Sequence, residues 1–135
     1  MCGIVGYVGN DAPQGIIIEG LKKLEYRGYD SAGIAVVNDG KIQLRKHVGA
    51  IVNLEKLIGK ENLGGHVGIG HTRWATHGAP SDVNSHPHMS NDNRIALVHN
   101  GTVENYVEIR TELEKEGFTF KSDTDSEVAA VLFGK

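Results

Sequence analysis

Hydrophobic positions recur with two different periods along the chain, and the two periods predict a mixture of helices and strands. After Pro13, the apolar residues Ile16, Ile17, Leu21 and Leu24 follow a helical spacing. Proline is well tolerated in the first turn of a helix, so this segment is predicted to be helical from residue 13 to about residue 26.

The remaining periodicity predicts short strands with a few helices between them. Strands are expected at residues 1–9, 31–37, 41–47, 67–72, 94–99 and 118–120, and further helices at 53–58, at 104–116 and from 124–127 onward. Asn38-Asp39-Gly40 is typical of a hairpin turn, and residues 74–93 lack periodicity, as in a long functional loop. The pattern indicates an α+β fold with a largely antiparallel sheet.

Composition narrows the class of protein. The 135 residues carry 14 Lys and Arg against 17 Asp and Glu, a net charge of -3 without a basic patch, which argues against nucleic acid as a partner. The apolar runs are far shorter than the roughly 20 residues of a membrane span, so no membrane partner is expected. A secretion signal is not recognisable, and one cysteine cannot form an internal disulfide; both favour the cytoplasm.

The single cysteine, Cys2, directly follows the initiator Met1. A lone cysteine at the start of a strand is ordinarily a small buried hydrophobe. Removal of Met1, however, would leave Cys2 with a free α-amino group, whose pKa near 7.7–8.0 suits it to accept the thiol proton. The position alone leaves both interpretations open.

Two further segments carry polar groups at strand ends. Arg73 precedes the only tryptophan, Trp74, and is either a bidentate partner for a carboxylate or a surface guanidinium stacked on that ring. Asn100-Gly101 is either a hairpin turn or a pair of N–H donors for an oxyanion.

Charged groups near the C-terminus also allow two interpretations. Asp123 and Asp125 lie at the N-terminus of a predicted helix, where Thr124-Asp125-Ser126-Glu127 has the form of a capping box. A carboxylate at this place either stabilises the helix or pairs with a substrate ammonium.

Six of the seven histidines lie between residues 66 and 99, but their spacing matches no zinc pattern, and no metal is expected. The absence of a phosphate-binding glycine motif argues against a nucleotide cofactor.

Taken together, these segments resemble the N-terminal-nucleophile, or class II, glutamine amidotransferases. The resemblance rests on residues 1–6 (MCGIVG), 24–33 (LEYRGYDSAG), 71–78 (HTRWATHG), 84–88 (NSHPH), 98–101 (VHNG) and 122–125 (SDTD). It covers essentially the whole chain, in order.

The resemblance implies a role for each matching residue. Cys2 would attack the side-chain amide of L-glutamine and form a thioester, Asn100 and Gly101 would hold the oxyanion, and Arg27 would orient Cys2. Arg73 would bind the substrate carboxylate and Asp125 its ammonium group. Backbone groups of Thr76 and His77 would complete the pocket, and Trp74 would lie on a loop that closes over it. No cofactor is implied.

The resemblance also implies an architecture and partners. The family fold is a four-layer α/β/β/α sandwich with antiparallel sheets, and residues 1–135 would form the N-terminal part of its glutaminase domain, an incomplete version of the sandwich. In the most similar family members, sugar-isomerase domains follow, which use the ammonia to convert fructose 6-phosphate to glucosamine 6-phosphate and form a homodimer. Those domains are not in this chain. The alternative is a catalytically silent fragment that binds glutamine or is purely structural, with Met1 retained.

Overall fold

The computed structural model of the chain describes residues 2–75 and 78–135. Its elements, in chain order, are β1 (Gly3–Val8), α1 (Pro13–Leu24), a 3₁₀ turn (Glu25–Arg27), β2 (Ser31–Asn38), β3 (Lys41–Val48), α2 (Ile51–Ile58), β4 (Val67–Arg73), β5 (His88–Met89), β6 (Ala96–Leu97), α3 (Tyr106–Lys115) and α4 (Asp125–Phe133).

The main sheet has four antiparallel strands in the order β1-β4-β2-β3. The β1–β4 register pairs Gly3 with Thr72, so the residue before β1 lies beside the end of β4. In the same way, Ser31 at the start of β2 pairs with Arg73. The start of β1, the end of β4 and the start of β2, which are distant in sequence, therefore meet at one end of the strands.

One face of the main sheet is covered by α1 and α2. Alternate residues of β2, among them Ile34 and Val36, pack with Ile17 and Leu21 of α1 and Leu54 of α2 in a fully buried apolar cluster. The apolar residues that recur every second position in the strand and every 3.6 positions in the helix are therefore buried in the same core.

The opposite face of the main sheet carries the second layer of strands. Ala35 and Val37 of β2 face residues 94–96, which include the start of β6, across a groove. Gly33 lies so close to this layer that a Cβ atom placed on it would be 1.9 Å from the carbonyl oxygen of His86. Only glycine permits this approach.

Helices α3 and α4 form the outer layer on that side. Leu113 of α3 packs with Val128 and Val131 of α4, and α4 contacts the two-stranded sheet of β5 and β6. The order of layers is helix, sheet, sheet, helix. The predicted α+β sandwich with antiparallel sheets is confirmed.

The structure corrects several predicted element bounds. Of the strand predicted at 94–99, only Ala96–Leu97 pairs. Residues 118–120 form no strand, because Thr119 exchanges two backbone hydrogen bonds with the side-chain amide of Asn91 instead of a neighbouring strand. The helix predicted from residue 53 begins two residues earlier, at Ile51, whose side chain is fully buried.

No helix in the described parts of the chain combines the length and the apolar character that crossing a bilayer demands.

Candidate active site

The sulfur of Cys2 lies at the edge of the main sheet, against the end of β4. The backbone N–H of Trp74 donates to Cys2 Sγ at 3.1 Å, and the thiol lies 3.5 Å from the carbonyl oxygen of the same residue. The position follows from the register, because Gly3, which is paired with Thr72, also donates its N–H to the Thr72 hydroxyl.

A small cavity opens directly beside Cys2. Its walls come from five separate segments of the chain: Cys2, Arg73 with Trp74, His86, His99 with Gly101, and residues 124–126. The volume is about 30 Å³, which holds one or two water molecules. A ligand with the size of an amino acid requires this cavity to widen.

Arg73 supplies the positive charge of the cavity. The residue is only 2% exposed, and its guanidinium donates to the backbone carbonyls of Gly78 at 2.9 Å and Ala79 at 3.3 Å. Burial lowers the pKa of Arg73, while the nearby charges of Asp30, Cys2 and Asp125 act in the opposite direction. Arginine remains protonated even so, and the wall of the cavity therefore carries a permanent positive charge.

Asp125 supplies a carboxylate on the other side of the same cavity. It is the first residue of α4 and 3% exposed, and its Oδ2 accepts the Val103 N–H at 2.6 Å. The helix is capped by its neighbour, since the Thr124 hydroxyl accepts the N–H of Glu127 at 3.2 Å. Helix capping therefore does not need the Asp125 side chain.

The predicted capping box is only half formed. Thr124 caps α4 as expected, but the Glu127 carboxylate accepts from the backbone N–H groups of Lys121 and Ser122 rather than from Thr124 itself. These hydrogen bonds attach the loop before α4 to the helix.

Asn100 and Gly101 lie beside the carbonyl side of Cys2. The Asn100 side chain donates from Nδ2 to the Cys2 carbonyl oxygen at 3.3 Å, and its Oδ1 lies 2.8 Å from His71 Nε2. Gly101 has φ +136°, a conformation that favours glycine and sets the direction of its backbone N–H. Both residues that the sequence predicts as oxyanion donors are therefore close to Cys2.

The remaining site residues that the sequence predicts are Trp74, Arg27, Thr76 and His77, and they do not share one location relative to the cavity. Trp74 is 54% exposed at the rim of the cavity. Arg27 is half-buried in the 3₁₀ turn, and it does not line the cavity as far as the described residues define it. Thr76 and His77 lie outside the described residues.

Two supporting residues were not singled out by sequence reasoning. Asp30 accepts the Ala75 N–H on Oδ2 at 2.5 Å and, through its own backbone N–H, donates to the Arg73 carbonyl at 2.6 Å, so it fixes the chain on both sides of Trp74. Asn84 donates to the Ala79 carbonyl and accepts the Asp123 N–H, which joins the Arg73 loop to the start of α4. Their only sequence signal is their place inside the two quoted segments 24–33 and 84–88.

Three of the clustered histidines form a buried group next to the cavity, and of the three only His86 is among the described lining residues. His71 and His86 lie parallel with ring centroids 4.1 Å apart, and His86 meets His88 edge-on at 4.6 Å. Burial lowers the pKa of His71 to about 4 and that of His88 to about 2, and it lowers the pKa of His86 further. The three rings are therefore neutral at pH 7.

A larger groove of about 560 Å³ lies between α1 and α2, but it lacks comparable chemistry. Among the described residues, its walls carry the carboxylates of Glu19, Glu55 and Glu61 and no nucleophilic side chain. Two of these acids pair with Lys22, and Glu61 pairs with Arg45. The candidate site is assigned to the smaller cavity because of its chemistry.

More than half of the chain matches a known protein family. Residues 59–135, which carry Arg73, Asn100, Gly101 and Asp125, match the family described as glutamine amidotransferase domain.

Curated relatives match over nearly the whole chain. A glutamine--fructose-6-phosphate aminotransferase [isomerizing] of Clostridium acetobutylicum is 59% identical over 128 residues, which is 95% of this chain and 21% of that protein. The protein of the same name from Methanosarcina acetivorans is 61% identical over 137 residues, covering 100% of this chain and 22% of its own length. The chain thus spans about a fifth of these relatives.

Solved structures share the fold. The glutamine phosphoribosylpyrophosphate (PRPP) amidotransferase from B. subtilis, complexed with ADP and GMP, matches with a TM-score of 0.82 and 29% identity, over 100% of this chain and 29% of that one. A structure described as the allosteric regulatory enzyme of purine biosynthesis matches with a TM-score of 0.83 at the same identity, over 100% of this chain and 30% of its own.

Proposed function

The chain belongs to the glutamine amidotransferase domain family, and on that basis we propose that it hydrolyses the side-chain amide of L-glutamine to glutamate and ammonia. The observation that carries the proposal is the content of the cavity beside Cys2, which combines a thiol with the Arg73 cation and the Asp125 carboxylate. An α-amino acid has one carboxylate and one ammonium group, and the two charges of the cavity complement them.

Substrate binding is assigned to these two charges. Arg73 binds the α-carboxylate, for which a planar guanidinium is the best-suited side chain, and Asp125 accepts from the α-ammonium. The Arg73 guanidinium also donates to the carbonyls of Gly78 and Ala79, which hold it in place. Trp74, exposed at the rim, covers the bound substrate, with backbone groups of Thr76 and His77 completing the pocket.

The chemistry begins at the Cys2 sulfur. Once Met1 is removed, the α-amino group of Cys2 takes the thiol proton, and the thiolate attacks the amide carbon of glutamine. Asn100 Nδ2 and the Gly101 N–H donate to the oxyanion that forms, and Arg27 orients the N-terminal residue. The carbon–nitrogen bond then breaks, the nitrogen takes the proton and leaves as ammonia, and a γ-glutamyl thioester remains. Water attacks the thioester and releases glutamate.

The use of the ammonia is proposed from the two curated relatives. Both are named as glutamine--fructose-6-phosphate aminotransferases, of which this chain spans about a fifth. We propose that the ammonia passes to fructose 6-phosphate, bound by sugar-isomerase domains of a longer homodimeric enzyme, and yields glucosamine 6-phosphate in the cytoplasm. The thioester step and amino-sugar synthesis belong to this proposal.

The substrate assignment is tested with two neighbouring aspartates. Asp125 is buried in the cavity, whereas Asp123 is exposed two residues earlier. D125N is expected to raise KM for glutamine by at least about tenfold, because a charged hydrogen bond to the substrate is worth about 1.5–3 kcal/mol. D123N, the matched control, is expected to leave KM unchanged. Equal effects of the two substitutions on KM would contradict the assignment.

The state of the N-terminus distinguishes the proposal from a silent glutamine-binding protein. Intact-mass measurement reports whether Met1 has been removed, and ammonia release is measured on the same sample. Turnover is expected only from molecules that begin at Cys2. Glutamine binding without ammonia release, from a fully processed sample, would support the silent alternative and refute the hydrolytic one.

A further inference from the structure

His71 occupies a position behind the site that the proposed mechanism does not use. It lies on β4, two residues before Arg73, and its side chain is fully buried. Its Nε2 lies 2.8 Å from Asn100 Oδ1, and its Nδ1 has no hydrogen-bond partner among the described residues. A buried polar atom without a partner is uncommon in a folded protein and calls for a physical reason.

The Cys2 carbonyl decides how the Asn100 amide is oriented. That carbonyl oxygen can only accept a hydrogen bond, so the Asn100 atom 3.3 Å from it must be the donor, Nδ2. The other end of the amide, Oδ1, then faces His71 Nε2. Because Oδ1 can only accept, Nε2 must carry a hydrogen.

The environment of His71 is compatible with only one ring state. A hydrogen on Nε2 leaves Nδ1 of a neutral ring as a bare lone pair, and among the described residues Nδ1 has no hydrogen-bond partner. A doubly protonated ring would bury an unpaired Nδ1–H, at a cost of about 1–3 kcal/mol. Burial also lowers the pKa of His71 to about 4. The parallel His86 ring at 4.1 Å restricts rotation of the imidazole.

From this geometry we infer that His71 is a positioning residue, whose Nε2–H holds Asn100 so that Nδ2 points to the Cys2 side of the site. Asn100 has two N–H groups, and with one donated to the Cys2 carbonyl the second is directed by the same orientation. The inference deepens the proposed function, since it rests on Asn100 as an oxyanion donor. Without the His71 contact, the amide can rotate and present its oxygen to the developing negative charge.

The kinetic test compares two substitutions. H71F keeps a ring that can stack on His86 but has no donor, and H71Q keeps an N–H near the position of Nε2. H71F is expected to lower kcat for glutamine hydrolysis about 10- to 100-fold, less than the roughly 10²–10³-fold loss for removing an oxyanion donor outright. KM is expected to change little, because His71 does not line the cavity as described. H71Q is expected to recover most of kcat.

A labelling test separates positioning from a general structural role. A diazo-ketone analogue of glutamine places its ketone oxygen against the Asn100 and Gly101 donors while the Cys2 thiolate displaces N₂ from the adjacent, protonated carbon. Iodoacetamide alkylates a thiol with loss of iodide and needs no such donors. H71F is expected to slow the first reaction and leave the second unchanged. Equal slowing of both reactions, or equal kcat losses in H71F and H71Q, would overturn the inference.

The ring state itself is measurable without any substitution or turnover. Long-range ¹H–¹⁵N correlation spectra of the protein at pH 7 are expected to show His71 protonated on Nε2 and bare on Nδ1. A proton on Nδ1 would refute the positioning role even if glutamine is hydrolysed. The expected tautomer in a protein that releases no ammonia would instead leave the positioning geometry intact and place the failure in the proposed function.

Discussion

The three stacked histidines predict a steep loss of stability in mild acid. His71, His86 and His88 are buried as neutral rings with lowered pKa values, about 4 for His71 and about 2 for His88. In the unfolded chain the same side chains titrate near pH 6.5. Below that pH the unfolded state binds protons that the folded state does not, so the free energy of unfolding falls as the pH falls.

The magnitude follows from the difference in pKa. Between pH 7 and pH 5, a ring that titrates at 6.5 when unfolded and at 4 or below when folded lowers the free energy of unfolding by about 2 kcal/mol. Three such rings lower it by about 5–6 kcal/mol, which is comparable with the whole stability of many domains, about 5–15 kcal/mol. The loss begins near pH 6.5 and continues until the folded rings themselves titrate.

The assay is urea unfolding followed by Trp74 fluorescence at pH 7 and pH 5. We expect H71F to remove about a third of the pH dependence, since one of the three rings no longer titrates. H66Q is the matched control: His66 is exposed and outside the cluster, and its substitution should leave the dependence unchanged. A wild-type loss below about 2 kcal/mol over this interval would show that the rings accept protons in the folded state.

Two further substitutions test how the loop 83–87 is held against the sheet. G33A would place a Cβ 1.9 Å from the His86 carbonyl and should lower the free energy of unfolding by at least about 1–3 kcal/mol in urea titrations; G6A, with nothing within 4 Å of its Cβ, should cost nothing measurable. K46M removes three hydrogen bonds from Nζ to carbonyls of the loop and should cost about 1–3 kcal/mol, with a parallel fall in kcat. An unchanged kcat in K46M would separate the loop from catalysis.

Much of the fold is predictable from the sequence because the residues that the local hydrophobic pattern assigns to the buried side of each element are the ones that form the core. The apolar residues of α1 face the same buried cluster as alternate residues of β2, and the Asn38-Asp39-Gly40 turn joins β2 to β3 as expected, with Asp39 and Gly40 at positive φ. The strand predicted at 118–120 is wrong for a tertiary reason. Its backbone partner is the Asn91 side chain, a contact 28 residues away that no local pattern encodes.

The candidate site is predictable only in part. Strand ends and turn residues indicate Arg73 and Asn100. The proximity of Arg73 to Cys2 depends on the β1–β4 register, which sequence periodicity does not determine, and Asn100 reaches Cys2 through a side-chain hydrogen bond across 98 residues of chain. Asp30 and His71 act through hydrogen bonds across 45 and 29 residues of chain. Neither contact can be predicted from the sequence, because the folded chain brings Asp30 to Ala75 and His71 to Asn100.

The central claim, that Cys2 is the nucleophile for glutamine, is tested most directly by peptide mass spectrometry after reaction with the diazo-ketone analogue. The account predicts one adduct per chain, on Cys2 of molecules that have lost Met1, and protection of Cys2 by excess glutamine. An adduct on another residue, or labelling of Cys2 that glutamine does not slow, would contradict it.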